Sequence, residues 1–308
     1  MTRKILISML LVFALAGYAM AEEGMSPAKA AQIDDTFSRA TQWLKQENLS
    51  VTTSPEQAFI GDYILVIGEG LPSASSKSPA QKRLTAERAA TAIAYRALAE
   101  MLEGVAVVGD TLVKDAELQY DVVRTAVAGF VKGAQTVYKD YNKEEETALV
   151  VVKIGMSGPQ GFAKTMYEKL IGDPAIKKTV VAPKPEFTAT PVALEEKYDG
   201  LIIDATEYTF RPALINRIFT PKGEVIYDPS RISQKVLVEQ GCGDYTNSVD
   251  KAKAALSSRG AKNPLVVKAA ASVNPSDLQV SDNDSIRIFS ANQKTAFLAE
   301  AKVAFVLK

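Results

Sequence analysis

The sequence predicts an α/β (α+β) protein of two compact domains, each a small mixed sheet packed with helices. Three observations lead there. Short, nearly continuous apolar runs such as DYILVIGEG at 62–70, GLIIDAT at 200–206 and PLVVKAAAS at 264–272 have the pattern of strands covered on both faces. Longer stretches with a 3.6-residue apolar period alternate with them, as layered α/β folds require. Pro174, Pro183, Pro185 and Pro191 gather near the middle of a 308-residue chain, which exceeds one ordinary domain of ~100–150 residues.

Along the chain, Arg3 and Lys4 precede the apolar run ILISMLLVFALAG, and Ala19 and Ala21 place small residues at −3 and −1 of a cleavage position. Residues 1–21 therefore read as a secretory signal peptide, the run being short of the ~20 residues a membrane span needs. Residues 26–50 form an amphipathic helix, with Ser26 as cap, Pro27 in the first position and Ile33, Phe37 and Leu44 on one stripe, Trp43 beside it. TTSPEQ reads as loop. A first α/β domain spans 56–157: strand 62–70, a surface loop, helix 79–103, strand 105–113, helix 117–133, then a hairpin turning at NKEEE. Residues 158–198 hold a short helix and an extended proline-rich linker.

The C-terminal domain covers 199–308. It opens with strand 200–206, followed by a hairpin in RIFTPKGEVIYD turned by Pro221 and Gly223. A helix in DPSRISQKVLVEQG has Asp228 as cap and Gly241 past its end, and a second helix stops at Gly260. Strand 264–272, the stretch DNDSIRIFSANQKTAFLAE at 282–300, helical in whole or part, and the closing strand AKVAFVLK complete it.

Within helix 79–103, the stretch AERAATAIAYRALAEMLEG is dense in alanine. Ala86, Ala90, Ile93, Ala97 and Met101 fall on one face, which lets the helix axis approach a sheet closely. Glu87 and Arg88 are expected at the surface and Gly104 as a left-handed cap. That stretch, with TLVKD, VVRTAVAGFVKGAQTV and the closing ALVVVKI, resembles the domain of the twenty-kilodalton outer-membrane lipoprotein family. A similar pattern opens the flagellar assembly protein T. The likeness covers residues 60–157, and the second half is similar to the C-terminal part of longer exported proteins of that group. The resemblance implies a non-catalytic envelope component whose partners are flagellar basal-body or outer-membrane proteins. It carries over no catalytic residue. The lipid anchor of the namesake does not carry over either, because no cysteine stands at the cleavage position. The periplasm or the outer-membrane periphery is the expected location, and the protein is not expected to be an enzyme.

Composition narrows the chemistry further. Lys+Arg and Asp+Glu both total 36, so a charge case for nucleic acid is lacking. There is no histidine, which removes the usual general base and the commonest transition-metal ligand. Cys242 is the sole cysteine and is expected buried and inert in a tight turn. The glycine-rich GEGLPS at 68–73 does not lead directly into a helix, as a phosphate-cradling loop must. Asp204, Glu207 and Arg211 follow a buried strand, where α/β domains often place ligand contacts, and are the candidate ligand-binding residues. An ion pair or turn at the sheet edge is the plainer account of them. Asp282 and Asp284 are candidate metal ligands, for which capping a helix is the plainer account. No cofactor is expected. A scaffold or assembly role leads, and a small-ligand binding protein using an interdomain cleft is the alternative. A scaffold calls for exposed apolar surface, a ligand-binding protein for a pocket of aromatics and converging polar groups.

Overall fold

A computed structural model describes residues 36–180 and 184–308. The signal peptide, Ser26, Pro27 and Ile33 lie outside the described residues. The fold is mixed α/β, as expected.

The first half runs α1 (Thr36–Gln46), α2 (Pro55–Gly61), β1 (Tyr63–Gly70), α3 (Pro79–Glu103), β2 (Ala106–Val108), β3 (Thr111–Leu112), α4 (Val113–Gln119), α5 (Asp121–Lys132), β4 (Gln135–Asn142), β5 (Thr147–Gly155), α6 (Phe162–Leu170) and α7 (Pro174–Val180). Strands β1, β5 and β4 make an antiparallel sheet in that order. The unbroken apolar character of β5 has a direct cause, because both of its faces are covered. Ala148, Val150, Val152 and Ile154 join the main core with α3, while Leu149 and Val151 meet Ala40 and Leu44 of α1 on the opposite face. Trp43 stacks on Tyr138 of β4 at 5.0 Å. Phe37 does not share that stripe and is 62% exposed, because the buried row is Thr36, Ala40 and Leu44.

Helix α3 has the expected ends, with Ser78 and Gln81 forming a capping box and Pro79 in the first turn. Its buried row is Ala86, Ala90, Ala94, Leu98 and Leu102, whereas Ile93 is 45% exposed. The sheet packs against an i,i+4 ridge, which slants across the helix, and not against the line parallel to its axis that the expected face followed. The alanines do serve close approach. A Cβ on Gly68 would stand 2.1 Å from the Ala90 carbonyl oxygen, and one on Gly70 2.3 Å from the Ala90 nitrogen. Strand and helix backbones touch there. Glu87 is not a surface residue: it is 9% exposed and bridges Arg83 and Lys139 at 2.8 Å each. Gly104 is right-handed, with φ −80°, so its role is not the left-handed cap expected.

Shorter elements depart from the sequence reading. TTSPEQ is not all loop, because Ser54 caps α2 and Pro55 starts it. The strand expected over 105–113 is a tight β2–β3 hairpin, turned at Gly109 with φ +60°. The helix expected over 117–133 begins earlier and is broken at Tyr120, whose extended backbone separates α4 from α5. The linker carries α7 and then docks on the second half, where Val225 N–H donates to Pro185 O and Phe187 N–H to Val225 O.

The second half runs β6 (Gly200–Asp204), β7 (Ile218–Phe219), β8 (Val225–Tyr227), a 3₁₀ turn (Pro229–Arg231), α8 (Gln234–Gln240), β9 (Asp244–Thr246), α9 (Val249–Ser258), β10 (Pro264–Lys268), β11 (Ala271–Asn274), β12 (Asp277–Gln279), α10 (Asp282–Thr295) and β13 (Val303–Val306). A parallel sheet has the order β10-β6-β13-β9. Ile202, Ala304 and Val306 face Ala252 and Leu256 of α9, while Leu201, Ile203 and Phe305 face the main core. A second sheet has the order β11-β12-β7-β8. Asp228 caps only the 3₁₀ turn, and Ser233 caps the separate helix α8. The strand expected over 264–272 ends at Lys268, and β11 pairs in the other sheet.

The halves do not have separate cores. One buried cluster runs from Ile64 and Val150 in the first half to Leu201 and Phe305 in the second. Backbone bonds cross the junction, from Leu214 N–H to Ala106 O (2.9 Å) and from Ile215 N–H to Val107 O (2.8 Å).

Candidate functional site

The predicted site residues are placed separately. Asp204 ends β6, and its Oδ1 accepts from the Thr206 hydroxyl (2.6 Å) and backbone N–H (3.1 Å). The Thr206 hydroxyl bond is the main reason its pKa lies below the ordinary value. Glu207 is exposed and pairs with Lys268 at 3.1 Å. Arg211 points toward the first half, its Nη2 3.4 Å from the Gly109 carbonyl oxygen, while its Nε is buried without a partner. Asp204 thus closes a turn, Glu207 pairs with Lys268, and Arg211 reaches toward the first half.

Asp282 and Asp284 lie in the first turn of α10, but the cap is Ser281. Asp284 accepts from the Ser281 hydroxyl (2.7 Å) and from Arg287 (2.7 Å). Among the described residues, no three His, Cys, Asp or Glu side chains gather as a metal site would require. Gly68 and Gly70 of the GEGLPS stretch serve the contact with α3.

What the fold does assemble lies at the junction. Segment 213–216 passes between the halves and is held by side chains from several elements. Tyr167 Oη of α6 donates to Leu214 O (2.8 Å). Asn216 is fully buried; its Oδ1 accepts from Ala213 N–H (2.8 Å) and lies 2.5 Å from Tyr245 Oη. Its Nδ2 donates to the carbonyls of Ser276 and Arg211. Tyr227 Oη donates to Cys242 O (2.6 Å), and Cys242 Sγ lies 3.0 Å from Tyr245 Oη. Burial pushes the Cys242 thiol and the three tyrosine hydroxyls above their ordinary values. Cys242 is free and buried between Gly241 (φ +69°) and Gly243 (φ +156°), in the tight turn expected.

Beside this network, α2 and the turn after β5 face β9 and the end of α8 across a cavity of about 270 Å³. Phe59 meets the Tyr245 ring edge-on at 5.4 Å. Gln240 also lines the cavity, and its Oε1 is buried with no partner. Asp62 accepts from the Ser157 N–H (3.0 Å) and hydroxyl (2.6 Å). Arg259, also on the lining, donates to Asp244 through Nε and Nη2 and to Ala301 O through Nη1. Sequence reasoning found none of this constellation except Cys242. Its members lie far apart in the chain, and none sits in a recognisable motif.

Residues 200–308 match the family model described as Treponema pallidum Tp0624, second domain. That stretch corresponds to the second half from β6 to the last residue, so the C-terminal part of this chain is similar to that domain. No curated protein matches the chain. Among the described residues, no helix is long and apolar enough to cross a membrane.

Proposed function

We propose that this protein is a non-catalytic scaffold or assembly component of the bacterial envelope, exported and not lipidated, that presents its surfaces to envelope partners. The observation that carries this reading is the union of the two halves into one body by a continuous core and by backbone bonds through 213–215. Such a junction suits a component that holds partners at a fixed spacing and opposes the hinge opening of a ligand-closing protein. Asp204, Glu207 and Asp284 are engaged in a turn and in ion pairs, which also favours a structural role. Leu71, Leu84 and Leu118 stand exposed and supply apolar surface to a partner. Association with the flagellar outer ring or another outer-membrane complex follows from the resemblance of residues 60–157.

The test is crosslinking in the native envelope, followed by purification and identification of partners by mass. Flagellar basal-body or outer-membrane proteins recovered at a constant ratio are the expected result. Recovery of nothing above background would sink the proposal.

A further inference from the structure

We propose that a second cavity, on the outer face of the β11-β12-β7-β8 sheet, binds a small organic carboxylate through Arg217, Lys184 and Gln279. This goes beyond the scaffold reading and does not depend on it. The register of the sheet builds the site. In the parallel pairing of β7 with β12, Leu278 stands beside Ile218 and Gln279 beside Phe219. Ile218 and Leu278 belong to the main core, so the residues alternating with them, Arg217, Phe219, Asp277 and Gln279, turn to the opposite face. There they line a cavity of about 260 Å³ together with Lys184 of the linker and Val273 of β11.

Arg217 is held in place before any ligand arrives. Asp277 takes one edge of its guanidinium, with Oδ2 2.7 Å from Nη2 and Oδ1 3.5 Å from Nε. Its Cζ lies 5.3 Å over the Phe219 ring, and the side chain is 9% exposed. The remaining edge is unspent, because Nη1 donates to nothing in the protein. Nor is Nη1 sealed from water: among the described residues, the buried side-chain atoms without a partner are Arg211 Nε and Gln240 Oε1. A guanidinium stacked on a ring and pinned along one edge presents its free end to a planar, two-oxygen acceptor with little entropy left to lose.

Charge sets the sign of the ligand. Lys184, Arg217 and Asp277 are the charged residues of the lining, two cations against one anion. Asp277 has no exposed surface and already accepts from the Arg217 N–H (3.0 Å), the guanidinium and Asn274 Nδ2 (2.8 Å), so it offers nothing to a cation. Lys184 is exposed and pairs with no acid among the described residues, while Glu186, two residues on, is held by Arg231 at 2.9 Å. Gln279 is half-buried and its amide makes no hydrogen bond to the protein. An anion therefore meets three unspent donors and one excess positive charge, and an ammonium meets two cations. The single excess charge suits a monoanion, and Val273, 54% exposed, offers apolar contact to the body of an acid.

Benzoate, benzylamine and inorganic phosphate test the assignment, the first two sharing a ring and differing in charge. Each is titrated at constant ionic strength into the full chain, and the Arg217 Nε–H signal and the Gln279 amide are followed by nuclear magnetic resonance. Benzoate is expected to saturate below about 10 mM and to move both signals, and benzylamine to move neither. Phosphate is expected to bind more weakly than benzoate. Lys184→Glu and Gln279→Glu alter groups that the fold leaves without partners, and each is expected to weaken benzoate about fivefold, less at high salt. Thermal midpoints close to the parent's establish that both variants fold. No saturable benzoate binding, saturation that leaves Arg217 unmoved, equal binding of benzylamine, tighter binding of phosphate, or benzoate affinity unchanged in either variant would each overturn the assignment.

Discussion

Tyr167, Tyr227, Cys242 and Tyr245 place three phenols and a thiol in the interior around segment 213–216, and their protonation is tied to folding. Burial is the largest cause raising each of the four, against ordinary values of 10.0 for the phenols and 9.0 for the thiol. Below about pH 9 all are protonated in both states, and the stability they carry is fully present. Above it the unfolded chain loses protons that the native protein keeps, so the unfolded state binds fewer and stability falls with pH. Each group adds up to ~1.4 kcal/mol per pH unit to that slope. Urea midpoints are therefore expected to be level from pH 7 to 8.5 and to drop steeply between pH 9.5 and 11. Tyr227→Phe, which removes one titrating group, is expected to make the drop shallower. A flat profile through pH 11, or an unchanged slope in the variant, would show that these hydroxyls are not held protonated by the fold.

At the scale of elements, the contact of β1 with α3 sets the geometry of the first half. Gly68→Ala or Gly70→Ala would drive a methyl group into the backbone of Ala90, which no side-chain rotation relieves. Each is expected to cost about 1–3 kcal/mol or more in chemical denaturation. Gly129→Ala in α5 is the opposing control, with nothing within 4 Å of the new Cβ. It is expected to stabilise by ~0.5–1 kcal/mol, the ordinary gain of alanine over glycine in a helix. Equal effects from the two kinds of substitution would contradict the close approach. Helix α3 and strands β5, β6 and β13 were legible in the sequence because long apolar patterns and caps agree there. The elements that escaped, α2, α7, β9 and β12 among them, are short: three residues of β9 have too little period to read, and they form a strand because β13 offers a parallel partner. The same limit applies to the cavity. Gln240, Tyr245 and Phe59 meet only through the packing of α2 against β9, a contact between distant parts of the chain, whereas Cys242 stood out by being alone. The candidates that were legible, Asp204, Glu207 and Arg211, are neighbours in sequence that the turn after β6 sends to different partners.

For the whole molecule, the decisive relation is between the two halves. The likeness to a Treponema second domain ends at β6, which marks 200–308 as a module. Yet the core does not end there, and the β2 carbonyls of Ala106 and Val107 pair with N–H groups of Leu214 and Ile215. If this junction contributes most of the stability of each half, the protein unfolds as one cooperative unit despite its length. Two residues make that measurable, because the sequence holds one tryptophan and one cysteine. Trp43 stacks on Tyr138 beneath the first sheet, and Cys242 lies buried beside Tyr245 in the second half. In guanidinium chloride, Trp43 fluorescence reports the first half, and brief alkylation of Cys242, read by mass, reports the second. The two midpoints are expected to coincide, and Gly68→Ala, far from Cys242 in sequence, is expected to lower both together. Cys242 becoming reactive at a concentration that leaves Trp43 unchanged would mean that the halves open separately, and would remove the rigid body on which the scaffold reading stands.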